Sequence, residues 1–354
     1  MYFRLYGFIL LQNCLIIVTP INIKDDVMAI KRSELIDPEN ARYYHLISRC
    51  VRRAFLCGQD PETKQNYDYR RQWIEDRIIE LAEYFAIEVF SYAVMHNHYH
   101  LVVYSDPKAP ESWSDLDVAD KWLKVFPGQL NNPKFKTQRD LRMQAIVKDP
   151  KLLATYRERL GSLSWLMRRI NEPLAKTANA EDFCKGHFWE SRFKSQALLD
   201  EGAALTCMAY VDLNPIRANM ATSLEESEHT SIKKRLESRS ENELNGILGA
   251  IAGKVKNRTM VLPLKDYIQL VEWTGQAIVY PNKSKMTSQL SSTLAHLNIQ
   301  QENWLGQVQA YGSNYYRFVG SLEKIKDQTK LLGQKWIKEL NQIQKLYIID
   351  FFKK

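Results

Sequence analysis

The chain has little cysteine, and none of it is paired. Five cysteines, Cys14, Cys50, Cys57, Cys184 and Cys207, are scattered over 354 residues without a CxxC spacing. That excludes a thiolate zinc site and a disulfide framework, and fits reduced thiols in a cytoplasmic protein. No internal repeat or low-complexity tract is present, which excludes solenoid and fibrous architectures. A long apolar run is also missing. Phe8 to Ile21 comes nearest, but Gln12, Asn13 and Pro20 interrupt it. It is shorter than the roughly 20 residues that a membrane-spanning helix needs. Two readings of this start remain. One is a secretory signal, for which no small-residue cleavage site follows. The other, preferred, is a true start at Met28, where MAIKRSELIDPEN reads as an ordinary polar N-terminus. Residues 1–27 are therefore set outside the fold, and no membrane contact is expected.

Negative charge is in deficit as well. The net charge is +8 and the pI about 9.0, so a polyanion is the leading class of partner. With 45% hydrophobic residues the chain has material for one large or two modest domains.

The most informative stretch is FAIEVFSYAVMHNHYHLVVY, Phe85 to Tyr104. Apolar residues run from Ile87 to Met95, break at His96-Asn97 and resume at His98. The pattern predicts two strands joined by a tight turn. Alternation along a strand puts His98 and His100 on one face and Tyr99, Leu101 and Val103 on the other. Two imidazoles on one face suit a single metal ion, although a His-x-His triplet alone is common by chance. His96, in the turn, reads as a solvated residue or as one that supports the pair from outside the ligand set. His45, among apolar neighbours on the strand expected at Ala41 to Cys50, reads as structural and is left out of the ligand set.

Around this pair the chain reads in order as strand, helix (Tyr69 to Phe85), strand, strand. Prolines 107, 110, 127, 133 and 150 punctuate the next stretch and predict a surface insertion over 106–150. Lys151 to Ala178 has helical spacing and carries Arg157, Arg159, Arg168 and Arg169 at exposed positions. Gly186 to Leu199 reads as a loop entering a fourth strand near Phe193 to Leu198. There Trp189, Arg192 and Lys194 interleave aromatic and basic side chains, which suits single-stranded nucleic acid, with Phe188 and Trp189 as plain core residues the equal alternative. The basic cluster Arg49, Arg52 and Arg53 ends the first strand.

A helix follows from Asp200, DEGAALTCMAYVDLN, opened by acidic residues and stopped by Pro215. Ala204, Cys207, Met208 and Val211 form its core stripe, and Tyr210 and Asn214, four apart, share one flank. A phenol and an amide near a helix C-terminus can serve one cation together. A half-buried tyrosine and a helix-ending asparagine are the ordinary alternative.

Taken together, MHNHYHLVV, FWESRFKSQAL and AYVDLNPIRANMA resemble the motifs of the HUH superfamily, specifically the single-tyrosine transposases and their REP-associated relatives. The resemblance covers roughly Ala41 to Ala221, and the NPIRA run is its most family-specific piece. Where many relatives have proline before the asparagine of the histidine motif, this chain has His96. The resemblance implies an α+β, ferredoxin-like antiparallel sheet with packed helices. It implies that His98, His100 and Asn214 hold a divalent metal, Mg²⁺ or Mn²⁺, and that Tyr210 is the nucleophile of a covalent 5′-phosphotyrosine intermediate. The substrate implied is single-stranded DNA near a hairpin or repeat end; the basic and aromatic residues Arg49, Arg52, Arg53, Arg168, Arg169, Trp189, Arg192, Lys194 and Arg217 are its candidate contacts by their charge and stacking surface. Relatives include monomers and homodimers.

Residues 28–228 are thus expected to form the catalytic domain, 229–256 a linker, and 257–354 a helical accessory domain. Two other readings compete: a catalytically silent DNA-binding repressor, and a metal-dependent nuclease that uses water. Neither needs Tyr210.

Overall fold

The protein is described by a computed structural model covering residues 32–51, 56–59, 64–128, 133–237, 240–280, 286–296, 299–311, 317–337 and 339–340. The N-terminal 31 residues, Arg52 and Arg53 lie outside the described residues.

Strand β1 (Arg42–Arg49) leads to helix α1 (Tyr69–Ala82), then β2 (Ile87–Val94) and β3 (His98–Ser105). Helices α2 (Asp115–Val125), α3 (Lys136–Val147), α4 (Pro150–Leu160) and α5 (Leu163–Glu181) follow. Next come β4 (Lys194–Leu198) and α6 (Glu201–Asp212). The C-terminal half adds α7 (Ser231–Glu237), the pair β5 (Ile247–Gly249) and β6 (Thr259–Pro263), and α8 (Leu264–Val279). It closes with α9 (Ser288–His296), α10 (Gln301–Ala310), β7 (Phe318–Val319) and α11 (Leu322–Leu331). The fold is mixed α+β.

The main sheet has the order β2-β3-β1-β4-β7. β1 is antiparallel to β3 and β4, β2 is antiparallel to β3, and only β7 lies parallel to its neighbour. Register decides which side chains share a face. Ile47 faces His100, Arg49 faces His98, and His45 lies opposite both Val102 and Gln196. Residues directly opposite point to the same side. One face therefore carries Tyr43, His45, His98, His100, Val102, Gln196 and Leu198. The other carries Tyr44, Leu46, Tyr99, Leu101, Val103 and Ala197, packed on Ile74 and Ile78 of α1 and on Leu166, Met167 and Ile170 of α5. Each such aliphatic side chain, wholly withdrawn from water, contributes about 2 kcal/mol.

The stretch 106–150, expected on the surface, is built into this layer. Val118, Ala119, Trp122, Leu123, Val125 and Ile146 are buried in the same cluster as α5. The prolines misled: Pro110 and Pro150 occupy first turns of helical segments, where a missing N–H costs nothing. The single helix expected over Lys151 to Ala178 is two, broken at Gly161. A Cβ at Gly161 would run into the Pro107 carbonyl, and the Leu160 carbonyl accepts from the Ala86 N–H (2.9 Å).

The stretch 229–256, read from the sequence as a linker, is bridged at both ends to the outer edge of β2, at Ala93–Thr230 and Val89–Ala252. The buried Glu88 carboxylate accepts from the backbone N–H groups of Val255 (3.0 Å), Lys256 (2.9 Å) and Arg258 (3.3 Å). Helices α8 and α10 pack on α6, where Tyr267, Leu270, Val271, Trp304 and Val308 join Leu205, Met208 and Val211 in a second buried cluster. Ala203 to Asp212 are consequently all buried, rather than one stripe of them. A helix apolar all round fits such a double cover. No helix among the described residues is long and apolar enough to cross a membrane.

Candidate functional site

Helix α6 is fixed at both ends. Its first turn is capped by Asp200, whose carboxylate accepts from the Ala203 N–H (2.8 Å). Near its other end the fully buried Asp212 carboxylate accepts from Ser91 Oγ (3.2 Å), from Ser231 Oγ and from Tyr267 Oη (2.5 Å). Burial pushes the Asp212 pKa up, while the Ser231 and Tyr267 hydroxyls pull against it. The network ties the C-terminal end of α6 to β2, α7 and α8. It thereby sets where Tyr210 and the following turn, Asn214–Arg217, present themselves.

Tyr210 lies against the histidine face of the sheet. Its ring centroid is 5.6 Å from that of His100 and 6.1 Å from that of His45, both edge-on. His98 and His100 meet edge-on at 4.8 Å, as the alternation along β3 requires. Asn214 is buried at the same end of the helix. The Arg217 guanidinium carbon sits 4.8 Å from the centre of the Tyr210 ring, and Nη1 reaches toward the Val308 carbonyl at 3.5 Å. The Tyr210 ring also stacks on Tyr311 (5.6 Å, 25°), whose hydroxyl donates to the Ala203 carbonyl (3.0 Å). Tyr210 is left 4% exposed.

Three imidazoles, not two, occupy this face. His45 Nε2 lies 2.9 Å from His100 Nδ1, and the two rings are stacked at 5.1 Å. His45 Nδ1 is 3.3 Å from Gln196 Oε1, and His98 Nδ1 is 2.6 Å from Asn97 Oδ1. Burial lowers the pKa of His45 to about 4. Burial, with Arg49 beside it, lowers His98 to about 4. Burial and the neighbouring His98 and His45 drive His100 well below the usual imidazole range. All three are neutral at pH 7, the form that binds metals. Burial raises the Tyr210 pKa, and the charge of Arg217 draws it down. The phenol is therefore protonated at rest.

Two buried polar atoms here have no hydrogen-bond partner, His100 Nε2 and Asn214 Nδ2. An unsatisfied buried polar atom costs roughly 1–3 kcal/mol. Native chains retain few such atoms. Among the described residues no group of three His, Cys, Asp or Glu side chains is arranged to hold a metal ion. The sheet side chains beside Tyr210 are instead imidazoles, with the Asn214 amide on the turn that follows its helix.

The basic and aromatic residues divide. Arg49 lies opposite His98, half-exposed and 3.8 Å from Glu190, and Lys194 begins β4 on the same face. Arg192 is exposed. Arg168 pairs with Glu172 (2.9 Å) and lies 5.0 Å from the Trp165 ring. Arg169 donates to the Val125 carbonyl (2.9 Å) over the Phe126 ring, and so holds the end of α2 onto α5. Trp189 donates its indole N–H to the Asn171 carbonyl (3.0 Å) and stands edge-on to Tyr99 and Phe188. Sequence reasoning left out His45 and passed over Phe183, which is 97% exposed with a φ of 49° in the loop after α5. An isolated aromatic between Asp182 and Cys184 in a polar loop was the available signal. His96 is exposed and accepts from Arg71 (2.9 Å).

The sequence matches no protein-family model and no curated protein. Among solved structures it is similar to a REP-associated tyrosine transposase bound to a REP hairpin, at 11% identity and a TM-score of 0.35. The match covers 60% of this chain and 87% of that one. The likeness is too slight to carry an argument.

Proposed function

We propose that the protein is a metal-dependent DNA transposase that cleaves and rejoins single-stranded DNA through Tyr210. The observation that carries this reading is that Tyr210, from α6, lies edge-on to His100, which stands beside His98 on the distant strand β3, while Asn214 is buried in the turn that follows α6. These residues also carry the motif resemblance to single-tyrosine transposases. The strand order β4-β1-β3-β2, with α1 and α5 on one face, supports a ferredoxin-like catalytic core.

The residues fit a divalent cation. His100 offers a buried nitrogen with no other partner, and His98 keeps its Nε2 free of the contact that Nδ1 makes with Asn97. An amide presents either its oxygen or its nitrogen to a given point by a half-turn about Cβ–Cγ, so Asn214 can supply a hard oxygen ligand. Bound there, Mg²⁺ or Mn²⁺ would supply charge to polarise a phosphodiester and stabilise the pentacovalent transition state.

The chain's own residues account for the rest. Tyr210 Oη attacks phosphorus and loses its proton to solvent, the bond from phosphorus to the 3′ oxygen breaks, and that oxygen takes up a proton. The products are a 5′-phosphotyrosine and a free 3′-OH. The link keeps the phosphodiester energy, so rejoining to another 3′-OH needs no nucleotide cofactor. Arg217 serves twice: its charge draws down the phenol pKa, and its guanidinium, beside the Tyr210 ring, is the group to meet a phosphate oxygen in this reading. Arg49, Arg192 and Lys194 lie along the His98 end of the sheet as contacts for the strand backbone, with Phe183 as an exposed surface for a base. Arg169 and Trp189 act through packing.

The test is a pool of labelled single-stranded hairpin oligonucleotides with Mg²⁺ or Mn²⁺. The proposal requires cleavage that leaves a free 3′-OH and stops with chelator. Cleavage with both ends released from protein would favour the water-using nuclease, and binding without cleavage would favour the repressor.

A further inference from the structure

We infer that Gln196 and His45 form a hydrogen-bonded relay that fixes the tautomer of His100 and so turns its Nε2 lone pair toward a divalent cation. The inference rests on the proposed metal-binding reading of the site. Its starting point is a directional chain of three side chains across three strands. Gln196 of β4, His45 of β1 and His100 of β3 share one face and touch in sequence, at 3.3 Å and 2.9 Å.

The donors follow from the first link. Gln196 presents Oε1, which only accepts, so His45 Nδ1 carries the proton. His45 is withdrawn from water, and among the described residues its ring nitrogens meet Gln196 and His100 rather than a carboxylate. It is therefore the neutral imidazole, and its Nε2 must accept. His100 Nδ1 then donates across the 2.9 Å contact, and His100 Nε2 is left with a lone pair. That nitrogen is the buried atom without a partner. The orphan and the relay thus explain one another: three residues hold a lone pair facing a place where no protein donor answers it. With the Gln196 amide reversed, every donor in the chain would reverse and Nε2 would carry hydrogen. The amide orientation is thus the element that decides. His45 and Gln196 are positioning residues, acting through His100.

The experiment uses the full chain free of metal, with long-range ¹H–¹⁵N correlations of the imidazole nitrogens. The expected pattern is a protonated Nδ1 and a bare Nε2 on both His45 and His100. Mn²⁺ affinity is then measured by titration for the wild type, Gln196→Met and His45→Phe. Both variants should bind roughly 10–100-fold more weakly, as removal of a ligand-orienting partner does. Gln196→Glu, which keeps the acceptor, should restore most of the affinity. His45→Phe also empties a buried polar position and can compromise folding. The wild-type tautomer pattern and the Gln196→Glu rescue do not depend on it. A wild type with hydrogen on His100 Nε2 would overturn the inference, as would variants that bind Mn²⁺ as tightly as the wild type. A wild type that binds no Mn²⁺ would overturn the metal reading and this inference together. Failure to form a DNA adduct while Mn²⁺ binding and tautomers behave as stated would strike the transposase reading alone.

Discussion

Acidification should destabilise the metal-free protein through His45. The unfolded imidazole titrates near 6.5 and the folded one at about 4. The native state binds fewer protons than the unfolded state between those values. The stability is therefore full above about pH 6.5 and declines as pH falls toward 4. At about pH 5.5 the unfolded His45 is mostly protonated and the folded one is not, which removes about 1–2 kcal/mol relative to pH 7.5. His98 and His100 shift in the same direction and add to the loss. The clean quantity is a difference of differences. Urea unfolding of wild type and His45→Gln would be followed at about pH 7.5 and 5.5, in the presence of chelator. The wild type should lose about 1–2 kcal/mol more than the variant over that interval. Parallel losses in the two proteins would refute the claim that His45 is held neutral by burial. Divalent metal should steepen the dependence, because protons and cation compete for the same imidazoles.

Other residues give shorter tests. Arg217→Gln should leave folding intact and slow covalent adduct formation by roughly 10²-fold, in line with loss of a charged donor at a developing negative charge. Single-turnover rates at saturating DNA would show it, and Arg217→Lys should recover only part. Tyr267→Phe removes a hydroxyl from the buried Asp212 carboxylate and should cost about 1–3 kcal/mol in urea unfolding. A loss below a few tenths would mean that the carboxylate does not depend on that bond. Phe183→Ala should leave stability within about 0.5 kcal/mol. It should weaken binding of single-stranded hairpin DNA by about 1–3 kcal/mol if a base stacks there. Unchanged affinity would remove Phe183 from the DNA surface.

Much of the sheet was legible because its signals are local. The alternation in His98–Ser105, the helical spacing before it and the cap at Asp200 each follow from a few neighbouring residues. The place of His45 was not legible, since it depends on the register of β1 against β3 and β4, and register is a long-range property. The same holds for α6. Its apolar run shows that it is buried, but the helices that cover its second face come from residues 264–310. Prolines in 106–150 carried a local meaning that tertiary packing redirected, because a proline at a first helical turn starts structure as readily as it breaks it. Gly161 shows the converse. Nothing beside it in sequence announces that the Pro107 carbonyl needs its missing side chain.

The central claim is that Tyr210 becomes covalently joined to DNA. After incubation with hairpin oligonucleotides and Mg²⁺ or Mn²⁺, the protein would be denatured, digested and analysed by mass spectrometry for a nucleotide-bearing peptide. The prediction is a 5′-phosphodeoxynucleotide on the peptide containing Tyr210, absent in Tyr210→Phe and absent with chelator. An adduct on another residue, or DNA cleavage undiminished in Tyr210→Phe, would contradict it.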